Sequence, residues 1–105
     1  MHIKEAYYPG NDNYIRVKKM FNPATGKAIT DAVVTATVLD SQGVPVAGVS
    51  WPVIVPFDPS SNVYQVRIEG MQLVNKQKYL TIVDVDASGL NGRWEIWRPA
   101  ITRRK

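Results

Sequence analysis

The sequence VYQVRIEG, residues 63–70, shows the clearest alternation of apolar and polar side chains in the chain. Tyr64, Val66 and Ile68 fall on one side of an extended segment, and the residues between them are polar. Because successive side chains of a β-strand point to opposite faces, this pattern predicts a strand that buries one face in a core.

Three further segments show strand patterns. DAVVTATVLD (residues 31–40) is rich in β-branched residues, which favour strands over helices. KYLTIVDVD (residues 78–86) is apolar on both faces, as expected of a central strand. RWEIWRPAI (residues 93–101) alternates, and Trp94 and Ile96 are predicted to face inward. No apolar stripe at helical spacing persists beyond two turns, so the sequence predicts an all-β domain.

Prolines and glycines separate these segments. Pro23 presets φ and Gly26 permits a positive φ, so the NPATG run predicts a turn. In VSWPVIVPF (residues 49–57), Pro52 and Pro56 mark an edge or kinked strand because proline cannot donate to a ladder. Short strands separated by such turns predict an immunoglobulin-like sandwich of about seven antiparallel strands, with a small barrel as the alternative.

A chain of 105 residues has the length of one domain. We expect an extended N-terminal arm over residues 1–13, a β-sandwich over residues 14–101 and a basic tail over residues 102–105. The sequence contains no apolar run approaching the roughly 18 residues of a membrane span, and its N-terminus lacks the apolar stretch of a signal peptide. Neither a membrane segment nor a signal peptide is therefore expected.

The composition also bounds the chemistry. Cysteine is absent, which excludes disulfides, thiolate metal sites and cysteine nucleophiles. The net charge of +4 comes from scattered basic residues, apart from the three that end the chain. So small an excess predicts an ordinary soluble surface with a charged tail, and nucleic acid is not an expected partner.

Residues able to carry out catalysis are scarce. The only histidine, His2, lies in the predicted arm and is not expected to join a preorganised triad. Asp84 and Asp86 share one strand face, so both carboxylates could approach a calcium ion together with Asp40 or with loop carbonyls. Two aspartates at a strand end are more often solvated beside a lysine. We therefore predict no catalytic, cofactor-binding or metal-binding residues.

Aromatic residues mark the candidate contact surface. An outward-facing Trp97 beside Arg98 has the composition of a protein–protein hot spot and also suits stacking on carbohydrate; burial against the arm is the alternative. Trp51 is either a core plug or an edge cover, and the arm tyrosines cover either the domain's own edge or a neighbouring surface. The predicted interface consists of Tyr7, Tyr8, Trp51, Trp97 and Arg98.

The run NPATGKAITDAVVTATVLDSQGVPVAG (residues 22–48), the YQVRI strand and GLNGRWEIWRP (residues 89–99) together carry a family resemblance. They resemble small immunoglobulin-like proteins encoded among the head, head–tail and tail genes of tailed bacteriophages and prophages. The first run also resembles, more loosely, the Ig-like modules of bacterial adhesins and phage baseplate proteins. Turn and core residues carry the resemblance, so it implies a fold and no catalytic residues.

The resemblance implies a non-enzymatic phage structural or assembly protein, located in the virion or in the host cytoplasm during assembly. Its partners would be other phage structural proteins or copies of itself in a homo-oligomer, without a cofactor or a membrane. The alternative is an Ig-like adhesion module that binds host-surface carbohydrate or protein. In the first case, deletion of residues 1–13 is expected to leave the fold intact and to weaken assembly.

Overall fold

The computed structural model describes the greater part of the chain, and its regular structure there is entirely β. The described residues are 6–10, 12–17, 20–21, 24–87 and 90–101. The strands are β1 (Asn13–Val17), β2 (Met20–Phe21), β3 (Ala28–Ile29), β4 (Val33–Leu39), β5 (Val53–Ile54), β6 (Phe57–Asp58), β7 (Val63–Ile68), β8 (Lys78–Ala87) and β9 (Leu90–Pro99). None of the described residues forms a helix that could cross a membrane.

The strands form two main sheets and a short ribbon, and every ladder between them is antiparallel. One sheet has the order β1-β7-β6, the other has the order β5-β4-β8-β9, and β2 pairs only with β3. Buried residues from both sheets belong to one core cluster. The predicted all-β class is thereby confirmed, and the architecture is sandwich-like.

The four-stranded sheet buries the face that carries the small and β-branched residues of β4. Val34, Ala36 and Val38 alternate with partly exposed residues along that strand. In the register with β8, Val34 pairs with Val85 and Ala36 with Val83, so these side chains share the inner face. The sequence alone leaves open which face of β4 is buried, because both faces carry apolar residues.

The three-stranded sheet covers this face with the strand that the sequence marks most clearly. Tyr64 and Ile68 of β7 are buried as predicted, and Val66 is partly buried. The Tyr64 hydroxyl donates to the carbonyl of Ile29 at 2.9 Å and accepts from the N–H of Ala32 at 3.1 Å. Because this buried hydroxyl both donates and accepts a hydrogen bond, Tyr64 holds the loop after β3 against the core.

The segment of residues 49–57, which contains Pro52 and Pro56, crosses from one sheet to the other. β5 pairs with β4 at one edge, and β6 pairs with β7 at an edge of the opposite sheet. Between them, the N–H of Val55 bonds to Val34 O at 2.8 Å, and Pro56 O accepts from Gln65 N at 3.0 Å. The prediction of an edge or kinked strand is confirmed here.

The segment predicted as an N-terminal arm requires a correction. Tyr7 is fully buried and forms a parallel bridge with Ala100. Its N–H donates to Pro99 O at 2.9 Å, and its carbonyl accepts from Ile101 N at 2.9 Å. Asn13, the last residue of the predicted arm, is buried in β1. The reason is physical: a large aromatic ring at this position completes the core.

Some predicted features fall outside the described residues. These are residues 1–5 and 11 of the arm, with His2 among them, the turn proline Pro23, and the basic tail of residues 102–105. Phe21 lies in β2, and its side chain is exposed.

Asp58 organises the turn between β6 and β7. Its carboxylate accepts from the backbone N–H of Ser60 at 3.0 Å and from the hydroxyls of Ser60 and Ser61 at 2.8 and 2.9 Å. The Gln65 amide donates a further bond at 2.7 Å. These donors, the Ser60 hydroxyl foremost, lower the pKa of Asp58 from 3.8 to about 2.

We therefore expect Asp58 to stabilise the fold above its unfolded pKa of 3.8 and to lose this contribution as the pH falls towards about 2. An Asp58→Asn variant should be less stable than the wild type at neutral pH, and its stability should change less over that acidic interval. Urea midpoints measured across the interval test this. Equal slopes in the two proteins would contradict the assignment.

Candidate functional site

Two of the predicted interface residues lie inside the domain. Tyr7 is fully buried, and Arg98 is only 6% exposed. The Arg98 guanidinium packs over the Tyr7 ring at 5.0 Å from its centroid and donates from Nη1 to Tyr14 O at 3.2 Å. This cation–π contact and hydrogen bond hold the arginine inward, so neither side chain forms an outer surface of this chain.

Trp51 and Tyr8 are partly buried. The Trp51 indole packs against the core, and its Nε1 donates to Val46 O at 2.7 Å. This bond ties the irregular segment after β4 to the domain. The backbone of Tyr8 exchanges two hydrogen bonds with the Asn13 side chain, at 2.8 and 3.3 Å. Both residues thus have structural contacts within the chain.

Trp97 is the predicted interface residue that the structure places at the surface. It lies on the outer face of β9 and is 49% exposed. The register places it beside Leu80, which in turn pairs with Leu39, so the three side chains form an apolar row across the outer face. Among the described residues, no segment covers the Trp97 ring as the alternative of burial would require.

Trp94 and Ile96 differ from the prediction in an informative way. They lie on the inner face, where the register sets them opposite Val83 and Thr81. Nevertheless they are 45% and 47% exposed. The three-stranded sheet reaches β9 at Arg98, which bonds to Tyr14 of β1, but it leaves Trp94 and Ile96 partly in solvent. Alternation in the sequence reports which face a residue lies on and carries no signal for whether a second sheet covers it.

An apolar groove runs between β1 and β9 at this open side of the sandwich. Its volume is about 410 Å³. The lining residues are Ile15, Arg16, Val17, Thr81, Val83, Trp94, Ile96 and Arg98. The groove therefore exposes part of the core between the edge strands of the two sheets.

Some backbone N–H and C=O groups of β9 also point towards this open side. Pro99 O accepts from Tyr7 N, so the carbonyl of Pro99 points away from β8. Hydrogen-bonding direction alternates along an antiparallel strand, so the backbone groups of Trp97, Glu95 and Arg93 point away from β8 as well. We call these three residues, on the side away from β8, the β9 edge. No other strand of the described residues pairs with it.

One charged residue of β9, Arg93, forms an ion pair with the neighbouring strand. Arg93 Nε donates to Asp84 Oδ1 at 2.7 Å, and this bond raises the pKa of Arg93. Asp84, considered above as a calcium ligand, is thus bonded to an arginine. Among the residues the structure describes, no group of three or more acidic or histidine side chains could hold a metal ion.

Comparisons with protein-family models, curated proteins and solved structures find no match to this chain. The phage resemblance therefore stays a prediction. The features of the chain that bear on its function are β9 and the groove beside it.

Proposed function

We propose that this protein is a non-enzymatic structural or assembly protein that acts through protein–protein contacts, of the phage type that its sequence resembles. The observation that carries the proposal is the state of β9. This ten-residue strand has no pairing strand on one side among the described residues. It also presents three half-exposed apolar side chains: Trp94, Ile96 and Trp97.

Such a strand is a ready template for association. Soluble proteins usually protect an edge strand with charges, prolines, bulges or a covering segment, because exposed N–H and C=O groups recruit further strands. On β9 the edge carries two charged residues, Arg93 and Glu95, but their charges are of opposite sign and can pair across a second strand, and Tyr7 covers only the Pro99 end. Tryptophan is enriched among residues that dominate binding energy, and large exposed apolar groups together mark interaction sites. A partner at β9 would bury both tryptophans and satisfy the backbone.

We also propose that the arrangement is immunoglobulin-like. Antiparallel sheets of three and four strands support this, because the constant-type immunoglobulin domain has the same division. The crossing from one sheet to the other between β5 and β6 is a further supporting feature. The virion, or the host cytoplasm during assembly, is the location that accompanies this proposal.

Incorporation into phage particles tests the proposal. We expect the chain in purified particles of the phage or prophage that encodes it, detected by mass spectrometry. Ile96→Lys should abolish incorporation, because it places a charge on the inner face of β9 in the contact. Ile54→Lys is the matched control, since Ile54 is exposed on β5 at the far edge of the same sheet.

The control variant should be incorporated like the wild type, and both variants should retain wild-type circular dichroism. Absence of the wild-type chain from purified particles would overturn the proposal, whatever its oligomeric state in light scattering. If the Ile96→Lys variant were incorporated as well as the wild type, β9 would not be the contact surface.

Carbohydrate binding by an adhesion module is a second candidate, favoured by the half-exposed Trp97 ring on the outer face. A sugar ring stacked on Trp97 would change the tryptophan fluorescence, and Trp97→Ala would abolish that change. A glycan array without signal, and fluorescence unchanged by added sugars, would exclude this candidate.

A further inference from the structure

We infer that the β9 edge pairs with the same edge of a second copy of this chain, antiparallel, across a two-fold axis at Trp94. The pairing would join the two four-stranded sheets into one continuous sheet. The inference rests on the proposed function in that both use β9, and it goes further by identifying the partner and the register.

The length of edge available to a partner sets the first limit on the register. β9 begins at Leu90, and at its other end Tyr7 already bonds to the Pro99 carbonyl. A partner strand can therefore pair with residues 90–98 only. Two identical antiparallel segments overlap most fully when the axis passes through their midpoint, and the midpoint of this range is Trp94.

Backbone direction sets the second limit. Arg93, Glu95 and Trp97 direct their N–H and C=O groups towards the partner, and the residues between them direct theirs towards β8. Outward-pointing residues of one copy must therefore face outward-pointing residues of the other. This restricts the axis to a position at a residue, such as 93, 94 or 95, and excludes positions between residues.

Charge selects among these positions. With the axis at Trp94, Arg93 of each copy lies opposite Glu95 of the other, which forms two attractive cross-strand pairs. An axis at Arg93 would set that arginine opposite itself, and an axis at Glu95 would set two glutamates opposite each other. Opposite charges directly across a ladder stabilise it and like charges destabilise it. The edge limit and the charge pattern therefore select the same register.

Arg93 can bond to both carboxylates at once. Its Nε donates to Asp84 of the same chain, with Nη2 3.4 Å from the second oxygen. A guanidinium carries five N–H donors, so further donors can reach Glu95 of the second copy. A line of alternating charge, from Asp84 through Arg93 to Glu95 of the second copy, would then cross the dimer.

The apolar side chains on the inner face fit the same register. Trp94 would lie opposite Trp94 of the second copy, and Ile96 opposite Gly92. The Trp94 ring already lies over Gly92, 3.2 Å from where a Cβ would be. Ile96 of the second copy would therefore pack against an indole ring, and both half-exposed residues would lose solvent contact.

Charge-reversal variants and their mixture test the inference. Glu95→Lys alone would place lysine opposite Arg93, and Arg93→Glu alone would place glutamate opposite Glu95, in each case at both symmetric contacts. We expect each variant to dimerise at least about tenfold more weakly than the wild type in analytical ultracentrifugation. A one-to-one mixture of the two variants should form a heterodimer. In that pair, the retained arginine of one chain faces the retained glutamate of the other, and the introduced lysine faces the introduced glutamate.

Arg67→Glu is the matched control, because Arg67 is an exposed, ion-paired arginine on β7 of the opposite sheet. It should dimerise like the wild type. The inference is overturned by a wild type that stays monomeric at millimolar concentration, by single variants that dimerise like the wild type, or by a mixture without heterodimer.

Two outcomes separate this inference from the proposed function. A monomeric chain that nevertheless enters particles through β9 would overturn the second copy as partner and leave the proposed function standing. A dimer that shows the predicted charge dependence but never enters particles would overturn the proposed function and leave this inference standing. A third outcome concerns the chain's own N-terminus. If hydrogen exchange of the Arg93, Glu95 and Trp97 amides is slow in a monomer and becomes fast when residues 1–5 are deleted, the N-terminus occupies the β9 edge. That result would overturn the inference.

Discussion

Replacement of Tyr7 by alanine should lower the free energy of unfolding by about 3–5 kcal/mol, the range found when a buried aromatic side chain is truncated. Tyr7 is fully buried, its hydroxyl bonds to Thr81 Oγ1, and its ring lies under the Arg98 guanidinium. The alanine variant would leave a cavity, a buried hydroxyl without its partner and an arginine without its aromatic contact. A domain of this size has a total stability of about 5–15 kcal/mol, so the loss is severe.

Urea denaturation followed by tryptophan fluorescence measures the effect. Tyr7→Phe is the matched control, because it keeps the ring and removes only the hydroxyl bonded to Thr81. That variant should lose about 1–2 kcal/mol. An alanine variant within about 1 kcal/mol of the wild type would show that Tyr7 does not belong to the core.

The same contacts reverse an expectation drawn from the sequence. Deletion of residues 1–13, expected there to leave the fold intact, would remove Tyr7 and also Asn13 of β1. We now expect this deletion to unfold the domain or to destabilise it about as strongly as Tyr7→Ala does.

Substitution of Gly48 by alanine should have the second large effect, about 2–6 kcal/mol of lost stability. Gly48 has a φ of +97°, where a side chain is strained. A Cβ there would also overlap the carbonyl oxygen of Gly70, a backbone atom that cannot rotate away. The two loops are held together by a bond from Gln72 N to Ala47 O at 3.0 Å, which moving the loops apart would break.

Gly43 provides the control for this prediction. Its φ of +81° imposes a similar backbone strain, but nothing lies within 4 Å of the position of an added Cβ. Gly43→Ala should therefore lose only about 1–2 kcal/mol, and the difference between the two variants measures the clash. Thermal unfolding of both proteins in parallel tests this. Equal melting temperatures for the two variants would show that the loops can separate at little cost.

The strands that sequence reasoning located best are those whose pattern is local. Along β7, Tyr64 and Ile68 are buried and Val66 packs against the core, and the period of two that links these residues is visible without any partner strand. In residues 49–57, Pro52 and Pro56 predicted an edge or kinked course, which β5 and β6 confirm. Proline and alternation act on the residue that carries them and on its neighbours, so single-sequence reasoning can use them.

The sequence predicts the candidate site only in part: it predicts the face on which each residue of β9 lies, but not how exposed that residue is. Trp97 was predicted to face outward, and it does. Trp94 and Ile96 were placed correctly on the inner face, but their exposure depends on how far β1 and β7 extend over the opposite sheet. Sheet width and offset arise from the pairing of strands distant in sequence, and no local pattern encodes them.

By itself, the sequence determined the all-β class, the course of its clearest strands and the scarcity of catalytic side chains, because composition, alternation and proline placement act locally. Only the tertiary structure decided that Tyr7 belongs to the core and that Arg98 is buried beneath the surface. It also decided that β9 is left with an apolar groove along one side. These outcomes depend on contacts such as those of Tyr7 with Thr81 and Ala100, which join residues far apart in the sequence and therefore leave no local pattern.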